Sequence, residues 1–199
     1  MPRGAPRPFV AAAVALILAV LSGGEARAEL WQVQDAGSTL EFELVVNQVD
    51  SRGRFPAFTG EGRFDPDAPQ DSDLTLAIDI TRLDLGNALA STFARSVDWF
   101  DAEAHPLGSF RLSELEPSPV EGVWLARGEL QLRGETRDVE VELALDLTGE
   151  TARATGETVI DRTLFGIGQG PTSYLVEVSR EIRVRFDLVA RRTEAAATD

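Results

Sequence analysis

The sequence predicts an all-β protein, one domain of about eight long antiparallel strands closed into a barrel. Two observations carry this prediction. Apolar residues alternate with polar ones through nearly every extended run: Leu40, Phe42, Leu44 and Val46 around Glu41 and Glu43; Leu74, Leu76, Ile78 and Ile80; Val139, Val141, Leu143, Leu145 and Leu147; and Ile182, Val184, Phe186 and Leu188. Strict period two over that many residues means strands that wet one face and bury the other. Beyond residue 28 only one stretch reads as helical, so the sheet has no helical layer to cover it and must hide its apolar face against itself.

The first 28 residues read as a signal peptide. Arg3 and Arg7 precede an uncharged apolar run at 9–21, and Ala26-Arg27-Ala28 supplies a small-x-small cleavage pattern. That run is short of the roughly 20 residues a spanning helix needs. With no Cys after the apolar run, no lipoprotein anchor is expected. Cleavage after Ala28 and export to the periplasm are expected. The remainder carries 16 Arg against 32 acids, a formal charge of −16, and no Lys. That balance argues against nucleic acid and against electrostatic docking on anionic lipid.

Strands are expected at 30–34 and 38–48, an opening pair broken at Asp35-Ala36-Gly37. Phe55, Phe58, Gly60, Gly62 and Phe64 suit a bent or bulged strand over 52–64. Asp65-Pro66-Asp67-Ala68-Pro69 is a turn, followed by a strand at 73–82. Asn87 is placed to cap a short helix over 88–95, and Trp99-Phe100 then puts two large aromatics side by side. Strands resume at 108–115, 122–133 and 137–147, the last two joined by a tight turn around Gly134-Glu135-Thr136. Two more follow at 151–163 and 174–190, with a flexible tail from Arg191. The domain thus spans 29–190.

Eight strands enclose a space that side chains can fill or that can hold one small ligand. The row Ala152, Ala154, Gly156 contributes almost no volume to its wall. Composition alone leaves open whether the interior is hollow or filled by opposing aromatics.

Chemistry is sparse. The only His, His105, sits before Pro106 in an acidic loop, and no G-x-S-x-G elbow or metal-ligand spacing occurs. Gly166-Ile167-Gly168-Gln169-Gly170 lacks the flanking strand and helix of a phosphate loop and reads as a connection between antiparallel strands. Asp98 and Asp101 flank Trp99-Phe100 but read as turn and capping acids. No catalytic residue, metal or cofactor is expected, and the chain is not expected to be an enzyme.

The order of several short segments resembles the YceI-like family of exported polyisoprenoid-binding proteins. These are Trp31-Gln32-Val33, Ser38-Thr39-Leu40-Glu41-Phe42, Gly53-Arg54-Phe55 with Phe58, Leu83-Asp84-Leu85-Gly86-Asn87, Ser96-Val97-Asp98-Trp99-Phe100-Asp101, Pro106 with Phe110, Gly128-Glu129-Leu130, Arg133-Gly134-Glu135-Thr136-Arg137 and Arg162-Thr163-Leu164-Phe165-Gly166-Ile167-Gly168. The resemblance implies an extended lipocalin-like eight-stranded barrel with an isoprenoid lipid, a quinone or polyprenyl phosphate, threaded through it. Many members carry an Arg-Asp pair and a His where this chain has Ala90, Ser91 and Phe93. The substituted loop is more similar to a branch associated with membrane b-type cytochromes, which favours a quinone-like ligand and adds such a cytochrome as an expected partner. Monomer and homodimer both stay open.

Combined with the alternation, this assigns ligand-binding positions. Phe42, Leu44, Leu76, Ile78, Leu130, Val141, Leu143, Val184 and Phe186 would line the tunnel, Ala152, Ala154 and Gly156 would give clearance, and Trp99, Phe100, Phe165 and Ile167 would sit near a mouth or lid. The expected function is a periplasmic carrier of a long isoprenoid lipid. The competing expectation is a filled barrel serving as a non-catalytic accessory module of a membrane redox protein.

Overall fold

A computed structural model describes residues 29–65 and 68–193. The expected signal peptide, Pro66-Asp67 of the turn and the last six residues of the tail lie outside the described residues. The strands are β1 (Glu29–Val46), β2 (Val49–Arg54), β3 (Phe58–Phe64), β4 (Asp73–Asp79), β5 (Leu107–Pro117), β6 (Val123–Leu132), β7 (Glu135–Thr148), β8 (Thr151–Asp161) and β9 (Glu181–Thr193), with one helix, α1 (Ala88–Ala94). All pairings are antiparallel between neighbours, and β9 pairs back onto β1 to close the barrel. β2 lies against the second half of β1 and β3 against its start, so the two form one broken stave and the barrel has eight. The eight-stranded expectation is met.

The break in that stave follows from Phe55-Pro56-Ala57. Proline has no N–H to give the ladder, so pairing stops there and resumes at Phe58. The expected bent strand at 52–64 is therefore two strands.

Asp35-Ala36-Gly37 does not divide β1 into a pair. The strand runs through, and its register with β9 slips between Gln34 and Thr39, an irregularity accommodated by Gly37 at φ +89°. The Ser38 hydroxyl accepts from the Val189 amide at 2.8 Å, satisfying a donor that the slip would otherwise strand. Two tight hairpins also sit elsewhere than expected. Asn47-Gln48 turns β1 into β2 with both residues at positive φ, and Arg133-Gly134, not Gly134-Glu135-Thr136, joins β6 to β7 in the same manner.

The expected strand at 174–190 begins only at Glu181. Residues Ser173–Leu175 form a 3-10 turn, and Val178 touches the sheet by a single bridge to Val46. Strand pairing also runs past Ala190, with Arg191, Arg192 and Thr193 opposite Gln32, Trp31 and Leu30. The start of β1 and the end of β9 thus meet at one end of the barrel. The opposite end carries α1 and the β8–β9 connection.

Inside, the alternating rows turn apolar side chains inward, and the buried ones gather in two clusters. Outside, Arg127 joins Glu114, Glu116 and Glu140, and Arg185 joins Glu43 and Glu157. These exposed pairs contribute little each and mainly keep the outer face wet.

Candidate functional site

The barrel is hollow. Two apolar chambers lie along its interior, about 560 Å³ under the helix and about 220 Å³ toward the far end. Leu40, Ile78, Leu130, Ile160 and Val184 border both, forming a waist between them. The larger chamber is within the size range of pockets that hold small ligands.

α1 covers part of the larger chamber because its sequence is amphipathic and well capped. Asn87 accepts from the amides of Leu89 and Ala90 at 2.9 and 3.0 Å. Ala90, Phe93 and Ala94 then border the chamber. Buried Ser91 turns instead to the preceding loop, accepting from Leu85 N and donating to Asn87 O. The three positions at which this chain departs from its resemblance thus present two apolar groups to the interior and no charge.

The connection between β8 and β9 forms the rest of the lid, fastened by Arg162 and Asp98. The Arg162 guanidinium donates to the carbonyls of Ser179, Ile167, Gly168 and Val178 at 2.6–3.1 Å and stacks 5.3 Å from the Trp99 ring centroid. Burial pushes its pKa below the usual value. Among the described residues, Arg162 is the only charged one bordering the large chamber. Asp98 accepts from Thr172 N at 2.9 Å, and its own carbonyl accepts from Gly168 N. The Thr172 hydroxyl and amide beside it hold the Asp98 carboxyl below the usual range. The carboxylate fills the space where Gly170 would carry a Cβ, so that position must be glycine. The glycine run is thus a connection shaped around Asp98 and Trp99.

Fourteen of the sixteen expected ligand-binding residues border a chamber. Phe42, Leu44, Trp99, Phe100 and Ile167 border the larger; Leu76, Val141, Leu143, Ala152, Ala154 and Phe186 the smaller; Ile78, Leu130 and Val184 both. Two do not. Gly156 gives no clearance, because the ring of its cross-strand partner Phe186 lies over it, 2.6 Å from where a Cβ would stand. Phe165, 1% exposed, is packed into the core cluster that holds Ile80 and Leu83 and borders neither space.

Sequence reasoning missed Phe55, Leu83, Leu85, Leu89, Phe93, Arg162 and the stretch Leu175, Val176, Val178. Leu89 and Phe93 were recoverable from their four-residue spacing on a helix, and Leu40, Ile160 and Ile182 from the strand rows. The lid residues of the β8–β9 connection carry no periodic signal.

Two indole N–H groups, Trp99 Nε1 and Trp31 Nε1, are buried with no acceptor among the described residues. No group of three or more metal-ligating side chains occurs among the described residues.

Comparison with known proteins gives the same picture. A UPF0312 protein of Vibrio parahaemolyticus is 25% identical over 177 residues, covering 85% of this chain and 93% of the relative. BcnA of Burkholderia cenocepacia has a solved structure with a TM-score of 0.72 at 28% identity, covering 79% of this chain and 98% of that one. A polyisoprenoid-binding domain from Saccharophagus degradans superposes with a TM-score of 0.66 at 14% identity, covering 82% of this chain and 98% of that one, a likeness of fold. The YceI-like domain matches residues 31–190. With its closed barrel, apolar interior and matching span, the chain belongs to the YceI-like family.

Proposed function

We propose that this protein is a periplasmic, non-catalytic carrier of a long isoprenoid lipid with a neutral head such as a quinone. The larger chamber carries this reading: of its bordering residues only Asn87 and Arg162 are polar beyond the Trp99 indole. The bonds of both are largely spent on the protein's own backbone. An interior of that kind rewards apolar surface. At about 25 cal/mol per Å², several hundred square ångströms of lipid tail contribute on the order of 10 kcal/mol before the costs of ordering and association. The name of the Saccharophagus domain points to the same ligand class.

A neutral head is supported by Ala90 and Phe93, which leave no charge on α1 facing the chamber. A membrane b-type cytochrome that exchanges quinone is the partner this reading calls for. The accessory-module alternative requires a filled barrel, and the two chambers leave it without support.

The test is native mass spectrometry and organic extraction of protein purified from its own host. A bound hydrophobic mass near one per chain is expected. Apo protein that also takes up no added long-chain quinone would refute the carrier reading.

A further inference from the structure

The apolar side chains this fold leaves in water are gathered at one end. Among the described residues, every exposed large hydrophobic side chain except Val120 and Leu147 belongs to the half of the barrel that carries the lid. Two of them, Leu89 of α1 at 81% exposure and Leu175 of the β8–β9 connection at 66%, also border the large chamber. The same side chains therefore meet the interior and the solvent, and the mouth lies between α1 and residues 173–178. Tyr174, 80% exposed, adjoins Leu175. Val49, 64% exposed, is paired with Val46, which is bridged to Val178 and borders the chamber. A contiguous exposed apolar rim marks a contact surface.

We infer that this rim docks on the surface of a phospholipid bilayer, so that a guest moves between bilayer and chamber without crossing water. The inference rests on the carrier reading. Charge selects the kind of bilayer. Asp50, Arg52, Arg82 and Glu177, of both signs, lie near the rim in sequence and are exposed, and the chain carries a net charge of −14. Attraction to anionic headgroups is therefore absent, and contact is by shallow apolar insertion into zwitterionic lipid.

The experiment follows transfer of a long-chain ubiquinone from phosphatidylcholine vesicles to the exported protein. Affinity for the small neutral fluorophore N-phenyl-1-naphthylamine, added at low concentration, is measured in parallel. Docking requires a transfer rate that rises with vesicle concentration and changes little with salt. Tyr174→Asp and Val49→Asp, both outside the chamber walls, should each slow transfer about tenfold, with Val120→Asp at the far end as an unaffected control. Fluorophore affinity should hold in all three, which also certifies their fold. A wild-type rate independent of vesicle concentration overturns docking and leaves the carrier reading standing, as does unchanged transfer in both rim variants. A dimer broken by Tyr174→Asp without effect on transfer assigns the rim to a second copy and overturns docking too. Wild-type protein that takes up neither probe removes the carrier reading and docking with it.

Discussion

The ring of Phe186 lies directly over Gly156, its partner across the β8–β9 ladder, in the space a Cβ would need. On the far side the same Cβ would meet the backbone carbonyl of Glu142. Gly156→Ala should therefore destabilise the barrel by about 2 kcal/mol through overpacking, whatever the interior holds. Urea denaturation checks this, and Phe186→Leu in the Gly156→Ala background should recover part of the loss. Equal stability of Gly156→Ala and wild type would contradict the geometry.

Arg162 holds four carbonyls of the lid with one planar group. Lysine keeps the charge but offers a compact donor that cannot fork, so Arg162→Lys should leave carbonyls unsatisfied at a cost of about 2 kcal/mol. The loss should be local. Hydrogen exchange should quicken at residues 166–179 while amides in β6 and β7 keep their protection.

The Asp161 carboxyl lies at about 2, below its ordinary 3.8, held down first by the Arg180 guanidinium and then by the Thr163 hydroxyl and amide. A carboxylate with a depressed folded pKa adds stability that is complete above the unfolded value and fades as pH falls through the folded one. Its share should therefore be present at pH 5 and lost between about pH 4 and pH 2. The denaturation midpoint of Asp161→Asn should fall less steeply than that of wild type across that window. Parallel curves would show that the pair contributes nothing to folding.

Val184 belongs to the waist shared by the chambers. Val184→Phe should close that passage, at a cost of about 1–3 kcal/mol for the added bulk. Long-chain isoprenoids should be lost while those short enough for the larger chamber are retained. Native mass spectra of the variant offered a mixture of chain lengths read this out, and an unchanged distribution would show that the waist does not limit the guest.

Much of the barrel is legible in the sequence because a one-residue shift would turn a whole row of side chains to the wrong face. Val139 through Leu147, with Glu140, Glu142, Ala144 and Asp146 between, admits one orientation. The hairpin at Asn47-Gln48 escaped because it lacks the glycine that marks such turns, and the slip after Gln34 because Asp35-Ala36-Gly37 reads equally as a loop. For the site, Leu130 or Val184 could be placed from alternation alone. Phe165 and Gly156 could not, since whether an inward residue meets space or a neighbour depends on what stands opposite. Arg162 was invisible as the lid's fastening because its partners are backbone carbonyls, which have no residue identity to read.

The pairing of Leu30 with Thr193 puts both ends of the described chain at the base of the barrel, a full strand length from Leu89 and Leu175. Any label or surface attachment joined at Leu30 or Thr193 would therefore leave the opening unobstructed. A short leash to a membrane through those same residues would point it the wrong way.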